Sequence, residues 1–584
     1  MTNPIEPIDL STPEAVLGAA GPEATPPAPP DPAIAPPPVP PLAPPHYRWA
    51  PAPSMPYTNP YDPYRPMPKK VYPAGRAEGV LALVVIVLGY LAWNWLTPRF
   101  ADQGSFAMAF PSVGVTAFFV LAMACSLLYF RAKQVPLSRG GAIGAVLLLL
   151  AVLPYAIFAT TPIHILFGPA LVIAYLTWHA YVARTAVAPR LGALTLVDTV
   201  QQVFAVPFSH FGSWAAGLRT LFKERKQPTQ LLVALIAIVV ALPVIALVFA
   251  LLVSADAAFS QWISGLTGVF ERFDLWRLLW QLGLGVPLGI YLFALMYGNA
   301  HPAQAAAVTA ENSARSLSSA RKLSTVALGA PTIVLIIIYL AFLAVTGTNL
   351  VSALLGNLPA EVTYAAYARE GFFQLTVVAM INLAVLAFTY LFSKRGSSTE
   401  GGAPTYSKLL RWLGAILASL TLLLVAMAAS KMIIYISSYN LTSLRLTTMW
   451  AMAVMFIVFL LVLVWNIRPF KVGTPIAIVL IVATLGLVWA NPDRIIADYN
   501  VDRYLAGNTR TVDVAYLGGE LGDGAIPALI KLRDQASDPA IRQAAKQALQ
   551  NYAADGSSFN PRGDTPWTSW SWQAWYWSEL VGRG

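Results

Sequence analysis

The chain has 584 residues and a formal net charge of +10, with 57% hydrophobic and only 11% charged residues. Soluble domains carry about 25% charge, so a single large soluble enzyme is excluded. A mean hydropathy of +0.60 excludes disorder over the whole length, and the composition defines a polytopic membrane protein.

Chain order begins with proline. Of 46 prolines, 24 fall in the first 75 residues, in runs such as Pro36-Pro37-Pro38. Such a segment cannot bury a core and favours extended coil. Residues 1–76 therefore read as a disordered, proline-rich cytoplasmic arm, either a solvated linker or a docking arm for a proline-binding module. The first 30 residues lack the basic and apolar regions of a signal peptide.

Eleven apolar runs follow: 80–97, 105–130, 141–160, 164–182, 229–253, 278–298, 325–346, 371–392, 412–430, 446–467 and 473–490. None contains Asp, Glu, Lys or Arg. About 20 apolar residues cross the hydrocarbon core as a helix, and lipid requires the backbone to satisfy itself internally. The expected fold class is thus all-α, a polytopic transmembrane helical bundle of about 11 spans over residues 77–490. The runs 141–160 and 164–182 are joined by three residues, so they form two full spans in a tight hairpin or a re-entrant pair.

Lys and Arg fix the expected orientation. With the N-terminus cytoplasmic, 23 basic residues fall in the arm and cytoplasmic loops and six in the opposite loops. The excess positive charge then belongs to topology and anionic headgroups, with no nucleic-acid partner. An odd number of spans places residues 491–584 outside the cytoplasm. In the long connection before 229, Phe211, Trp214, Ala215, Leu218, Leu221 and Phe222 share one helical face. This face lies in the headgroup plane or packs on the bundle.

In the tail, Ile526, Leu529, Ile530 and Leu532 suit one short helix, and Ile541, Ala544, Ala545, Ala548 and Leu549 suit a second. The pair looks like one helical repeat, which cannot bury its own face alone. Five tryptophans between 567 and 577 suit the membrane interface or a glycan-stacking platform.

The chemistry-bearing residues are sparse. The single cysteine, Cys125, rules out an intrachain disulfide and a Cys-based zinc site. The five histidines lack metal-binding spacing, and no phosphate loop, dinucleotide fingerprint or nucleophile elbow occurs. No catalytic residue, metal site or cofactor is therefore assigned. His164 and His179, the only titratable groups in the runs besides cysteine and tyrosine, are expected in helix–helix hydrogen bonds. What remains is an outward polar belt at the span ends: Asp256, Tyr367, Arg369, Tyr435, Arg445, Asp493, Asn500 and Arg503. It either ties loops to helix ends through carboxylate–arginine pairs or closes into a pocket for an anionic headgroup. Arg369, Arg445 and Arg503 are predicted within salt-bridge reach of Asp256 and Asp493.

Several motifs in this belt carry a resemblance: Leu251-Leu252-Val253-Ser254-Ala255-Asp256, Tyr364 to Phe373, Tyr439-Asn440-Leu441-Thr442-Ser443-Leu444-Arg445-Leu446, Asn491-Pro492-Asp493, and Tyr499-Asn500-Val501-Asp502-Arg503. Over about residues 229–530 the chain resembles the bacterial multi-pass membrane families catalogued as domains of unknown function 4153 and 4173, the second being the closer. Asn440 stands where that pattern has glycine. The resemblance implies a bacterial cytoplasmic-membrane protein and brings no established activity, substrate or cofactor. The expected partners are the lipid bilayer and an envelope lipid or protein, with self-association left open. The residues favour a non-catalytic envelope sensor or scaffold. The alternatives are a transporter or lipid flippase, and an enzyme acting on a lipid-linked substrate with Asp256 or Asp493 as base.

Overall fold

A computed structural model describes residues 73–96, 99–100, 108–109, 112–158, 162–187, 191–192, 194–221, 248, 275–301, 322–354, 372–394, 407–468, 470–555 and 567–581. Residues 1–72 of the arm, the run 229–253 apart from Val248, and the belt residues Asp256, Tyr367 and Arg369 lie outside these, while the end of the arm is ordered and Arg76 opens the first helix.

Four helices come first: α1 (Arg76–Leu96), α2 (Ser112–Ala132), α3 (Arg139–Ile157) and α4 (Pro162–Val182). Leu81, Val85, Leu88 and Ala92 of α1 are buried, while Val80, Leu83, Val84 and Val87 are exposed. A helix apolar on every side belongs in lipid. The run 105–130 is corrected at its start. Residues 108–109 pair antiparallel with 99–100 as two-residue strands, and the helix begins at Ser112. α3 and α4 are both long and apolar enough to cross a membrane.

On the long connection, α5 (Thr195–Val200) runs through a π-helical turn, Gln201–Ala205, into α6 (Val206–Ser209), and α7 (Ser213–Thr220) follows. α7 packs on the bundle: Trp214 and Leu218 are buried, and the Trp214 indole donates to the Ala82 carbonyl at 3.0 Å. The remaining long helices are α8 (Leu275–Ala300), α9 (Thr325–Leu354), α10 (Phe372–Phe392), α11 (Lys408–Tyr439), α12 (Ser443–Ile467) and α13 (Gly473–Trp489). Among the described residues nine helices qualify as spans, or up to ten with α13.

Successive helices alternate between two ends of the bundle. At the entry end, where α1 begins, the Tyr297 hydroxyl near the end of α8 donates to the Pro73 carbonyl, and Arg411 at the start of α11 donates to the Asn466 carbonyl at the end of α12. At the tail end, Gln281 in α8 donates to Asn94 in α1. α7 sits at the entry end, because Thr220 donates to the Gly75 carbonyl. Leu221 and Leu275 thus lie at opposite ends.

Two apolar cores form. One joins α1, α2, α3, α4, α7 and α8, and its tightest point is the α1–α8 crossing. There Gly89, Gly285 and Gly289 let the backbones meet: a Cβ on Gly89 would lie 1.9 Å from the Gly285 carbonyl oxygen. The other core joins α9 to α12 with the tail helices. Bridges between the two include Phe167 against Trp450 (5.2 Å) and the Trp489 indole donating to the Leu150 carbonyl at 2.8 Å.

After α13 the chain bends by 62° into α14 (Pro492–Leu505). Asn491 makes the elbow in left-handed backbone (φ 50), and its side chain accepts from Arg494 N–H as the N-cap, with Pro492 starting the helix. Then come α15 (Val514–Gly519), a 3₁₀ turn (Gly522–Ala525), α16 (Ile526–Gln535), α17 (Pro539–Asp555), a second 3₁₀ turn (Trp567–Ser569) and α18 (Trp572–Val581). Ile526, Leu529 and Leu532 pack with Ala545 and Leu549, and this pair joins Ile496 and Val501 of α14 in the second core. The Tyr552 hydroxyl donates to Asp523 at 2.7 Å. The tryptophan segment folds back to the tail end: the Trp570 carbonyl accepts from Val113 N–H at 3.0 Å, and Trp567 meets Trp95 edge-on at 5.1 Å.

Candidate functional site at the tail end

Of the described belt residues, Tyr435, Arg445, Asn500 and Arg503 converge on the turn between α11 and α12. A helix leaves its last carbonyls without intrahelical donors, and cations are favoured there. Both arginines use this. Arg445 donates to the Tyr439 carbonyl at 2.6 Å and to that of Asn440, and its guanidinium lies 4.2 Å over the Tyr435 ring. Arg503, arriving from α14, donates to the Ile436 and Ser437 carbonyls at 3.1 and 2.8 Å and stands 5.6 Å from the Tyr499 ring. Asn500 is buried and brackets Leu441, accepting from its N–H and donating to its carbonyl, both at 2.8 Å. The Tyr516 hydroxyl accepts from Ser443 N–H at 3.0 Å, and the Asn440 amide donates to the Thr511 carbonyl at 3.3 Å. α14 and α15 thus bind the turn through its own backbone.

The predicted carboxylate pairing differs from this arrangement. Among the described residues neither Arg445 nor Arg503 forms an ion pair. Asp493 is buried in the first turn of α14, so close to the 3₁₀ turn that a Cβ on Gly524 would lie 2.8 Å from its own Cβ. The physical reason is that helix-end carbonyls lie nearer to the guanidiniums than any described carboxylate. The tail's described ion pairs, Arg494–Asp498, Lys531–Asp502 and Arg533–Asp534, lie on exposed surface. There the Arg533 hydrogen bond holds the Asp534 carboxyl below its ordinary value.

Asn440 adopts φ 66, ψ 171, a region that is essentially restricted to glycine and costs other residues about 1–3 kcal/mol. This accounts for a pattern with glycine at that position. Asn440→Gly is expected to stabilise the protein by about 1 kcal/mol, since strain relief exceeds the loss of the long bond to Thr511 and the added chain entropy. A rise in melting temperature in detergent checks it.

Sequence reasoning missed a second polar cluster, at the entry end. Glu78 is 0% exposed. Its carboxylate accepts from the Tyr129 hydroxyl (3.0 Å), Lys133 (2.9 Å) and Gly75 N–H (2.8 Å), with His301 Nε2 at 3.9 Å. The only signal was a lone acid two residues before an apolar run. Glu78→Gln removes the charge facing Lys133, which is 28% exposed and can turn to water, and puts an amide group that only donates in place of one acceptor oxygen. The expected cost is about 2 kcal/mol, the worth of a charge-assisted bond, read as a lower melting temperature.

Within the spans and against the connection that follows α4, polar side chains satisfy one another. Ser126 meets His179 at 3.0 Å and Tyr175 at 3.2 Å. Tyr339 donates to Asn382 at 2.8 Å, and Asn382 to Thr421 at 2.9 Å. Asn299 and Gln202 bond reciprocally. The Tyr155 hydroxyl donates to the His164 carbonyl at 2.7 Å. Such bonds hold membrane helices together. Among the described residues no group of three or more His, Cys, Asp or Glu side chains gathers to hold a metal.

This architecture, a many-helix bundle with apolar outer faces and buried polar cross-links, defines a multi-pass membrane protein. The profile of the family described as Domain of unknown function (DUF4153) matches residues 117–532, and the chain belongs to that family. No curated protein and no solved structure matches it.

Proposed function

We propose that this protein is a non-catalytic scaffold of the bacterial cytoplasmic membrane, with its arm in the cytoplasm and its tail presented on the opposite face. The basic-residue asymmetry of the loops supports that orientation. The observation that carries the reading is the engagement of Asn500 and Arg503 with the backbone of the α11–α12 turn: these residues spend their hydrogen bonds on holding α14 to the membrane helices, and Arg445 of α12 braces the same turn. The belt is then a fastening, and the tail a platform fixed at a defined angle. The exposed rings of Trp567, Trp572 and Trp575 rest at the headgroup level, where tryptophan is favoured.

The test is complementation of a strain lacking the gene. Scaffolding expects Asn500→Ala and Arg503→Ala, which loosen the tail, to abolish the wild-type phenotype, and Asp493→Asn to retain it. The reverse pattern favours an enzyme with Asp493 as base. A periplasm-active reporter fused after Gly584 checks the orientation, and activity of a cytosolic reporter there removes the outward platform.

A further inference from the structure

A groove of about 710 Å³ runs between α1 and α2 on the outer side of the bundle. On α1 its wall extends from Arg76 through Val80, Val84 and Val87 to Leu91, about 22 Å at the rise of a helix. One leaflet of the hydrocarbon core is about 15 Å deep, so the groove crosses the entry-side leaflet and passes the midplane. Its walls are apolar along this path, and Cys125 and Leu128 line it from α2.

Charge appears only at the mouth. Arg76 lines it and is exposed, with no side-chain hydrogen bond or ion pair among the described residues. Arg131 is also exposed, next to the lining residue Ala132 in the last turn of α2. Among the described residues the acid close by, Glu78, is already matched by Lys133, so the described charge at the mouth is positive.

We infer that this groove holds one acyl chain of an anionic phospholipid whose phosphodiester sits at Arg76. An apolar slot deeper than one leaflet takes the chain, and guanidinium at headgroup height takes the phosphate. A helix from a second copy would bring its own width into the slot and leave the two arginines unmatched.

The full-length protein, delipidated in detergent, is titrated with phosphatidylglycerol and with phosphatidylcholine and read by native mass spectrometry. The wild type is expected to retain one phosphatidylglycerol in preference to phosphatidylcholine. Arg76→Gln is expected to reduce that preference about fivefold, the worth of one basic residue at an anionic surface. Val84→Trp and Leu128→Trp, both at exposed positions where bulk is tolerated, are expected to abolish the retained lipid while melting like the wild type. Glycerol phosphate is expected not to compete, since it lacks the chain. A photoactivatable acyl chain on phosphatidylglycerol is expected to label the α1 and α2 peptides. Equal retention of both lipids, wild-type binding by either tryptophan variant, displacement by glycerol phosphate, or crosslinking of this face to a second copy would each overturn the inference.

Discussion

Gly89→Ala is expected to cost at least about 3 kcal/mol, the upper part of the overpacking range, and to lower the monodisperse yield sharply. The added methyl would lie 1.9 Å from the Gly285 carbonyl oxygen and 2.9 Å from Gly289 N. These are backbone atoms, so no rotamer change relieves the clash, and α1 must move away from α8. Small residues let membrane helices approach closely, and their packing replaces the hydrophobic drive that lipid removes. Gly486→Ala, inside α13 and not followed by proline, is the control. Nothing lies within 4 Å of its Cβ position, and alanine favours a helix, so its melting temperature should match or exceed the wild type. A Gly89→Ala protein that melts with the wild type would show that the crossing is looser than described.

The second large effect is expected from Asn500→Ala. Asn500 is 4% exposed, and Leu441, whose N–H and carbonyl it satisfies, is 7% exposed. Truncation strands both backbone groups, each at about 1–3 kcal/mol, so the attachment of α14 weakens by about 2–6 kcal/mol. Hydrogen exchange should accelerate across α14 to α17 while α1 to α4 keep their protection. Lys531→Ala, which removes an ion pair with Asp502 at the surface, should change exchange little, as exposed pairs contribute about 0–1 kcal/mol. Equal exchange in Asn500→Ala and the wild type would mean that the tail is held elsewhere.

The spans were legible because lipid imposes one rule on every crossing segment, and the described long helices all overlap apolar runs. Their ends were not. A charge-free criterion starts α1 at residue 80 and so leaves out Glu78, which is tolerated because Lys133 and Tyr129 meet it. It also clips α11, which extends from Lys408 to Tyr439 and carries the buried Lys431. At 108–109 composition alone could not separate helix from the short strand pair. In the belt, the sequence singled out Tyr435, Arg445, Asn500 and Arg503, which do meet at one turn. It paired the arginines with acids because acids are visible as letters. The carbonyls of Ile436, Ser437 and Tyr439 are present in every residue, and only the helix ending there makes them acceptors. The triad of Tyr339, Asn382 and Thr421 is likewise invisible in one dimension, since each member is separated from the next by about 40 positions.

One backbone contact sets a clock on biogenesis. The amide of Val113, near the start of the second long helix, finds its acceptor at Trp570. Some 457 residues separate them, which at about 5–20 residues per second is roughly 23 to 90 seconds of translation. Throughout that interval the early half sits in the bilayer with its outer rim unsealed. A chain cut short before the tryptophans would carry that open rim permanently, a mark by which quality control could tell finished molecules from fragments.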